Sequence, residues 1–387
     1  MKEQNDFTKG SVAGNIVKLA LPMTVAQMVN VLYNVVDRMF IGRLSENGTE
    51  ALTGIGITFP IIMFITAFTN LVGEGGAPLS SIERGKGDNE MAEKIMGNSF
   101  SLLVIVGIVL MTFLYIFKRP LLILFGASEQ TFRYANSYLS LYLVGTLFAM
   151  IGLGLNNYIN AQGFATIGML SVIVGAVVNV VLDFVFIYRL KMGVTGAALA
   201  TVISQLCTCI WVLHFLRGDK TILKLKKNRM KLDKDIVKRI LGLGTAGFVM
   251  AVTNSCVQIA CNMTLSLFGG DIYVGVMTVI NSIREIVMMP VGGLTSGSQP
   301  VMSYNYGAKS YRRVLSAIKF TTLSCVIYAT AAWVMMHFFG QYFIRIFNNE
   351  PRLVALAVPA LTTFFFGFFM MSFQFAGQST FVALSNN

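Results

Sequence analysis

The sequence predicts an all-α polytopic membrane protein, with two pseudo-symmetric helical lobes, six spans plus four, around a central cleft. Three observations predict it. Only 12% of the 387 residues are charged and 55% are hydrophobic, with a mean hydropathy of +0.67; a soluble domain carries roughly a quarter charged residues. Apolar runs of bilayer-crossing length, about 20 residues, recur along the whole chain. A set of small residues and a proline recurs at one fixed spacing in its two halves.

Ten runs are long enough to cross, at 15–42, 51–80, 95–117, 134–159, 165–188, 194–216, 236–268, 272–302, 314–340 and 353–381. Backbone groups in hydrocarbon must be satisfied internally, so the runs are helices. No alternating ten-residue pattern supports a barrel. The one long charged stretch divides them. Residues 1–216 form an N-terminal lobe of six helices, 217–235 a basic, solvated cytoplasmic linker, and 236–387 an incomplete C-terminal lobe of four. With the N-terminus inside, about 20 of the 30 basic residues fall in inside loops, which orients the chain with a cytoplasmic N-terminus in the cell membrane. Residues 1–14 are polar and the first run lacks a small-residue cleavage site, so no cleavable signal peptide is expected.

The net charge of +12 does not signal nucleic acid, because the basic residues sit in loops between apolar runs and no basic-aromatic or zinc module occurs. All five cysteines lie in apolar runs, as small buried hydrophobes rather than a disulfide framework. Gly85-Lys86-Gly87 is not a phosphate-binding loop, since the preceding glycine and the following Ser or Thr are wrong. No HExxH or CxxC occurs, and His214 and His337 stand far apart. The chain is therefore expected to be no enzyme, to hold no cofactor, and to draw energy from an ion gradient.

The repeat lies at an offset of 222 residues: Gly75 with Gly297, Pro78 with Pro300, Ser81 with Ser303 and Gly85 with Gly307. Six spans separate the equivalents. An even number gives both halves the same orientation, so the pseudo-axis runs along the membrane normal. By this duplication the second half should also hold six spans, so about two helices of the repeat lie outside these 387 residues.

Ionisable groups within spans are expensive and mark function. Asp37 in the first span and Asp183 in the fifth each come six residues before a basic residue, Arg43 and Arg189, at the outer boundary. They therefore share a depth, as partners in one site must. Asn179 is one turn from Asp183, and Thr201 of the sixth span enters to a similar depth. Two carboxylates in low dielectric resist joint ionisation, so the pair can take a proton or hold Na⁺ with amide and hydroxyl oxygens. Gln27, Asn30 and Asn34 continue a polar stripe to Asp37 at three- and four-residue spacing. Asn281 and Glu285 share a face of the eighth span beside Arg284, either in a substrate cavity or in an ion pair. Gln258 and Gln374, and Asn157 in the fourth span, are further cavity candidates; helix–helix hydrogen bonding is the plainer role for such amides. Glu74, in LVGEGGAPL, reads as an interfacial carboxylate near the inner end of the second span.

The segments LALPMTVAQMVNVLYNVVDRMFIGRL (19–44), LVGEGGAPLSSIERGKGD (71–88), VVNVVLDFVFIY with GVTGAALATVIS (177–204) and GSQPVMSYNYGAKSYRRV (297–314) resemble the multidrug and toxic compound extrusion family over nearly the whole chain. The resemblance implies two lobes around a cleft and the export of cationic, amphipathic compounds in exchange for H⁺ or Na⁺. It also implies an ion site in the N-terminal lobe at Asp37, Asn179, Asp183 and Thr201, with Asn156 or Asn157 beside them. No other metal is expected. A second branch uses acidic residues in the seventh and tenth helices, and these spans hold none. The expected partners are small-molecule substrates and the lipid bilayer, with the chain a monomer. The alternatives are a lipid-linked oligosaccharide flippase, disfavoured because the spans offer only Arg38 and Arg284 for a pyrophosphate, and an inactive truncated transporter.

Overall fold

The computed structural model describes residues 5–42, 48–269, 271–347 and 350–385. The first six helices are α1 (Val12–Gly42), α2 (Gly48–Gly85), α3 (Asn89–Leu124), α4 (Glu129–Ala161), α5 (Ala165–Asp183) and α6 (Gly193–Arg217). After the linker come α7 (Lys234–Gly269), α8 (Asp271–Gly307), α9 (Tyr311–Phe347), α10 (Pro351–Phe365) and α11 (Phe368–Ala383). No strand occurs among the described residues. Eight of these helices are long and apolar enough to cross a membrane, or nine if α10 and α11, bent by 45° at their junction, count as one span. The eighth expected span, 272–302, falls within α8, a helix of 37 residues that carries Arg284 and Glu285 near its middle.

Local chemistry sets the helix ends. Asp88 caps α3 by accepting the Met91 N–H at 2.8 Å. Ser128 and Thr131 form a reciprocal capping box on α4. Pro351 opens α10, where its missing N–H costs nothing. Between α4 and α5 the chain turns through Gly163 at φ +96°, with the Asn5 carbonyl pressed against it, so only glycine fits.

The duplication is visible in contacts. Ser81 Oγ donates to the Ala161 carbonyl at 3.4 Å, and Ser303 Oγ donates to the Ala383 carbonyl at 2.9 Å. Gly85 abuts the Tyr304 carbonyl while Gly307 abuts the Ile82 carbonyl, which is the reciprocal contact. These approaches bring α1 and α2 against α7 and α8 at the end of the bundle that carries the linker. There Gly75 meets Ile240 and Gly244, Gly297 meets Ala20, and Gly293 meets Thr24. The Arg84 guanidinium stacks over Phe7 and Tyr304, at 5.1 and 4.7 Å from the ring centroids. Glu83 bridges to Arg239 of the other half at 3.1 Å. Toward the opposite end α7 comes away from its neighbours: every residue from 251 to 258 is exposed. The halves therefore interlock at the linker end and part at the other, leaving the cleft between them.

The linker is docked rather than solvated. Gln162 Oε1, fully buried, accepts from Thr221 Oγ1 and from the N–H groups of Ile222 and Leu223 at 2.7–2.9 Å. Leu223 and Leu225 are buried. Ser101 Oγ donates to the Met230 carbonyl at 2.6 Å, and the Asp233 N–H donates to Asn98 Oδ1 at 2.7 Å. Lys94–Asp233 and Lys226–Glu93 pairs close at 2.7 Å. The charge run concealed this, because some of its basic side chains pair with acids of α3 while its backbone and leucines face α3 and α4. The cysteines are all free; Cys209 and Cys325 are buried, but Cys256 is exposed, contrary to the expectation for all five.

Candidate ion and substrate sites in the cleft

Asp37 on α1 and Asp183 on α5 face each other at carboxyl-to-carboxyl hydrogen-bonding range. α1 packs along α5, which is what brings them together. Asp183 is fully buried and Asp37 is 8% exposed. Neither oxygen of Asp183 meets a hydrogen-bond donor, and Asn179 Oδ1 is likewise orphaned. Asn179 Nδ2 points to Thr201 Oγ1 at 3.5 Å, while Thr201 donates to the Ala197 carbonyl at 3.0 Å. Orphaned buried acceptors each cost about 1–3 kcal/mol. Three on one face of α5, beside a second carboxyl, form a pocket completed only by something that donates: a proton shared between the acids, or a cation. Among the described residues no group of three or more His, Cys, Asp or Glu side chains could hold a metal, so a bound Na⁺ would rest on mixed carboxyl, amide and hydroxyl oxygens.

Sequence reasoning missed Tyr138. From α4 its phenol faces Asp37 and reaches Thr201, and Tyr33 of α1 stands beside it. Tyr138 and Tyr142 stack at 6.1 Å between ring centroids. The signal was available: two tyrosines one turn apart in an apolar run need partners for their hydroxyls. A second feature carried no sequence signal. Immediately after Asp183 the helix widens into a π-turn, Phe184–Arg189. Such widened turns inside α-helices recur at functional sites.

The remaining polar candidates are not gathered there. The amide of Gln27 lies against Gly292 of α8, whereas Asp37, ten residues or about 15 Å further along α1, faces α5. The stripe from Gln27 through Asn30 to Asp37 therefore spans two environments rather than lining one site. The side chains of Asn34 and Arg38, and the whole of Arg43, lie outside the described residues. Asn156 Nδ2 donates to the Gly168 carbonyl at 3.3 Å, and Asn157 lies against Gly73 of α2. Neither is among the groups facing Asp183. Asn281 is half-buried and Gln258, Glu285 and Gln374 are exposed; none of these four bonds to another described residue. Among the described residues Arg284 and Glu285 form no ion pair with each other or with any other side chain. Glu74, exposed on α2, extends toward α7, with Oε2 3.2 Å from where a side chain on Gly247 would begin.

The MatE family model matches residues 22–185 and 247–386, one segment in each half. The chain belongs to the MatE family. Among curated MatE relatives, the multidrug export protein MepA of Staphylococcus haemolyticus is 25% identical over 354 residues, covering 91% of this chain and 77% of that protein. MepA of Staphylococcus saprophyticus is 24% identical over the same shares. Among solved structures, an outward-facing conformation of a multidrug resistance MATE family transporter of the MOP superfamily superposes with a TM-score of 0.91 at 23% identity. That match covers all of this chain and 85% of the other. A MOP superfamily transporter from Pyrococcus furiosus matches equally, and both likenesses establish the fold.

Proposed function

We propose that this MatE protein is a secondary active antiporter that exports cationic or amphipathic small molecules in exchange for H⁺ or Na⁺. The observation that carries the reading is the buried Asp37–Asp183 pair with its orphaned acceptors. Such a pocket binds a cation or proton strongly only while it is intact. If rocking of the two halves changes that pocket, ion affinity differs between states, which is what coupling requires. The relatives named multidrug export proteins support the substrate class. The basic residues at the linker end support a cytoplasmic linker and N-terminus in the cell membrane, so the cleft opens outward. In the outward-open form the acid pair takes the ion and the substrate leaves; facing inward, the ion departs and substrate binds. Tyr138 and Thr201 position the pair, their hydroxyls offering donors or acceptors as the acids change charge.

Ethidium efflux from energised bacterial cells lacking their own pumps tests this. Asp37→Asn and Asp183→Asn, at membrane levels equal to the wild type, are expected to reduce gradient-dependent efflux to that of cells without the protein. Dissipating the proton gradient and the sodium gradient separately identifies the ion. Wild-type rates in either variant would remove the pair from the coupling role.

A further inference from the structure

The acid pair lies wholly on one side of the cleft, yet one more carboxylate stands in its interior. On α2, Gly73 packs against Gly154 and Asn157 of α4, and Gly75 packs against Ile240 and Gly244 of α7. The residue between them, Glu74, is thereby directed between α4 and α7, at the boundary of the two halves. Its side chain is exposed while α4 and α7 flank it, the situation of a group lining the floor of a cleft. No hydrogen-bond donor and no basic side chain among the described residues meets it. Directly above, the halves are joined by aromatic rings. Phe68 of α2 meets Phe248 of α7 edge-on at 5.3 Å, and Phe64 meets Phe68 at 5.0 Å. Phe248 follows Gly247, the residue against which Glu74 lies. The repeat gives no reason for the acid, since its equivalent in the second half is Ser296.

A lone carboxylate beside ring faces and edges, with glycines leaving room around it, matches a rigid aromatic cation: positive charge against the acid, apolar body against the rings. We propose that Glu74, with the Phe68–Phe248 pair, binds the cationic group of an aromatic amphipathic substrate at the floor of the cleft, at a point separate from the Asp37–Asp183 pocket. The inference rests on the exporter reading and deepens it. It assigns ion and substrate to different carboxylates, so the two need not compete for one group. Because Glu74 touches both halves, closure or opening of the linker end changes its surroundings and so its hold on the cation.

The test is equilibrium binding of ethidium to the purified full chain in nanodiscs of neutral lipid, read by fluorescence polarisation, with an uncharged aromatic dye of similar size as comparator. Glu74→Gln keeps the shape and removes the charge. It is expected to weaken ethidium about tenfold and to leave the uncharged dye unchanged. Glu74→Asp should retain part of the affinity, and Phe248→Leu should weaken both dyes. Equal ethidium affinity in wild type and Glu74→Gln would overturn the inference while leaving the exporter reading standing. Equal loss of both dyes in Glu74→Gln would overturn it too, by showing that shape rather than charge was disturbed. Wild-type protein that pumps ethidium in cells but binds none when purified would overturn the inference alone; absence of pumping would bring down the exporter reading as well.

Discussion

The two halves share a scaffold and differ in chemistry. The serine-to-carbonyl bond that ties α2 to α4 recurs between α8 and α11, and the glycine contacts of α2 on α8 are returned by α8 on α2. Even the polar contact of Asn157 against Gly73 has an equivalent, Ser379 Oγ donating to the Thr295 carbonyl at 3.0 Å. Yet the repeat position of Asp37 is Ile259, and that of Glu74 is Ser296. Duplication preserved the backbone because close helix approaches tolerate only small residues. It left the positions of Asp37 and Glu74 free, because there a side chain meets a partner acid, an ion or water rather than the close-packed backbone of a facing helix.

The comparison can be broken at its centre. Gly85→Leu and Gly307→Leu each set a side chain against a carbonyl of the facing helix, Tyr304 or Ile82, where backbone must move. Each is expected to destabilise the interlocked linker end by about 3 kcal/mol. Cysteine probes in the cleft should then become reactive from the linker side, to a similar extent for both. A large effect from one and none from the other would show that the reciprocity is geometric but not energetic.

Next in size is a contact that only the first half makes. Gln162→Ala strands two linker N–H groups, of Ile222 and Leu223, without their acceptor. At about 2 kcal/mol in total, tryptic cleavage at Lys220 and Lys224 should be roughly 30-fold faster. Ser81→Ala and Ser303→Ala should each lower thermal stability by about 1 kcal/mol. A smaller loss for Ser303 would mean that the second half is the looser one.

The smallest effect is a pH dependence of the linker. The hydrogen bond from Lys94 holds the Asp233 carboxyl below the usual carboxylate range, helped by the Asp235 N–H. A depressed folded value stabilises the docked linker above the unfolded carboxylate pKa, about 4. Protection of Lys231 and Lys234 from proteolysis should be flat at neutral pH and fall away as pH drops through the folded value. Asp233→Asn should abolish that acid step and nothing else.

How much of the site was legible follows the same division. Asp37 and Asp183 could be paired from sequence because membrane depth is a one-dimensional coordinate, readable by counting residues from a charged boundary. Asn179 followed from helical spacing, and Thr201 from depth in the sixth span. Tyr138 was not found, since its relation to Asp37 depends on how α4 is rotated against α1. Gln27 was grouped with Asp37 for the converse reason: spacing along a helix says nothing of which neighbour each residue meets.

The sequence by itself determined that the chain is a bundle of membrane-crossing helices, that it is internally duplicated, and which few ionisable groups are buried at common depth. Those properties follow from local composition and period, because hydrocarbon leaves the backbone no alternative to the helix. Only the tertiary structure decided that the basic linker is bound to α3 and α4, that Glu74 stands at the boundary of the halves, and that the cleft is shut at the linker end. Each depends on the azimuth of one helix against another, set by where glycines let two backbones meet, and no single segment contains that information.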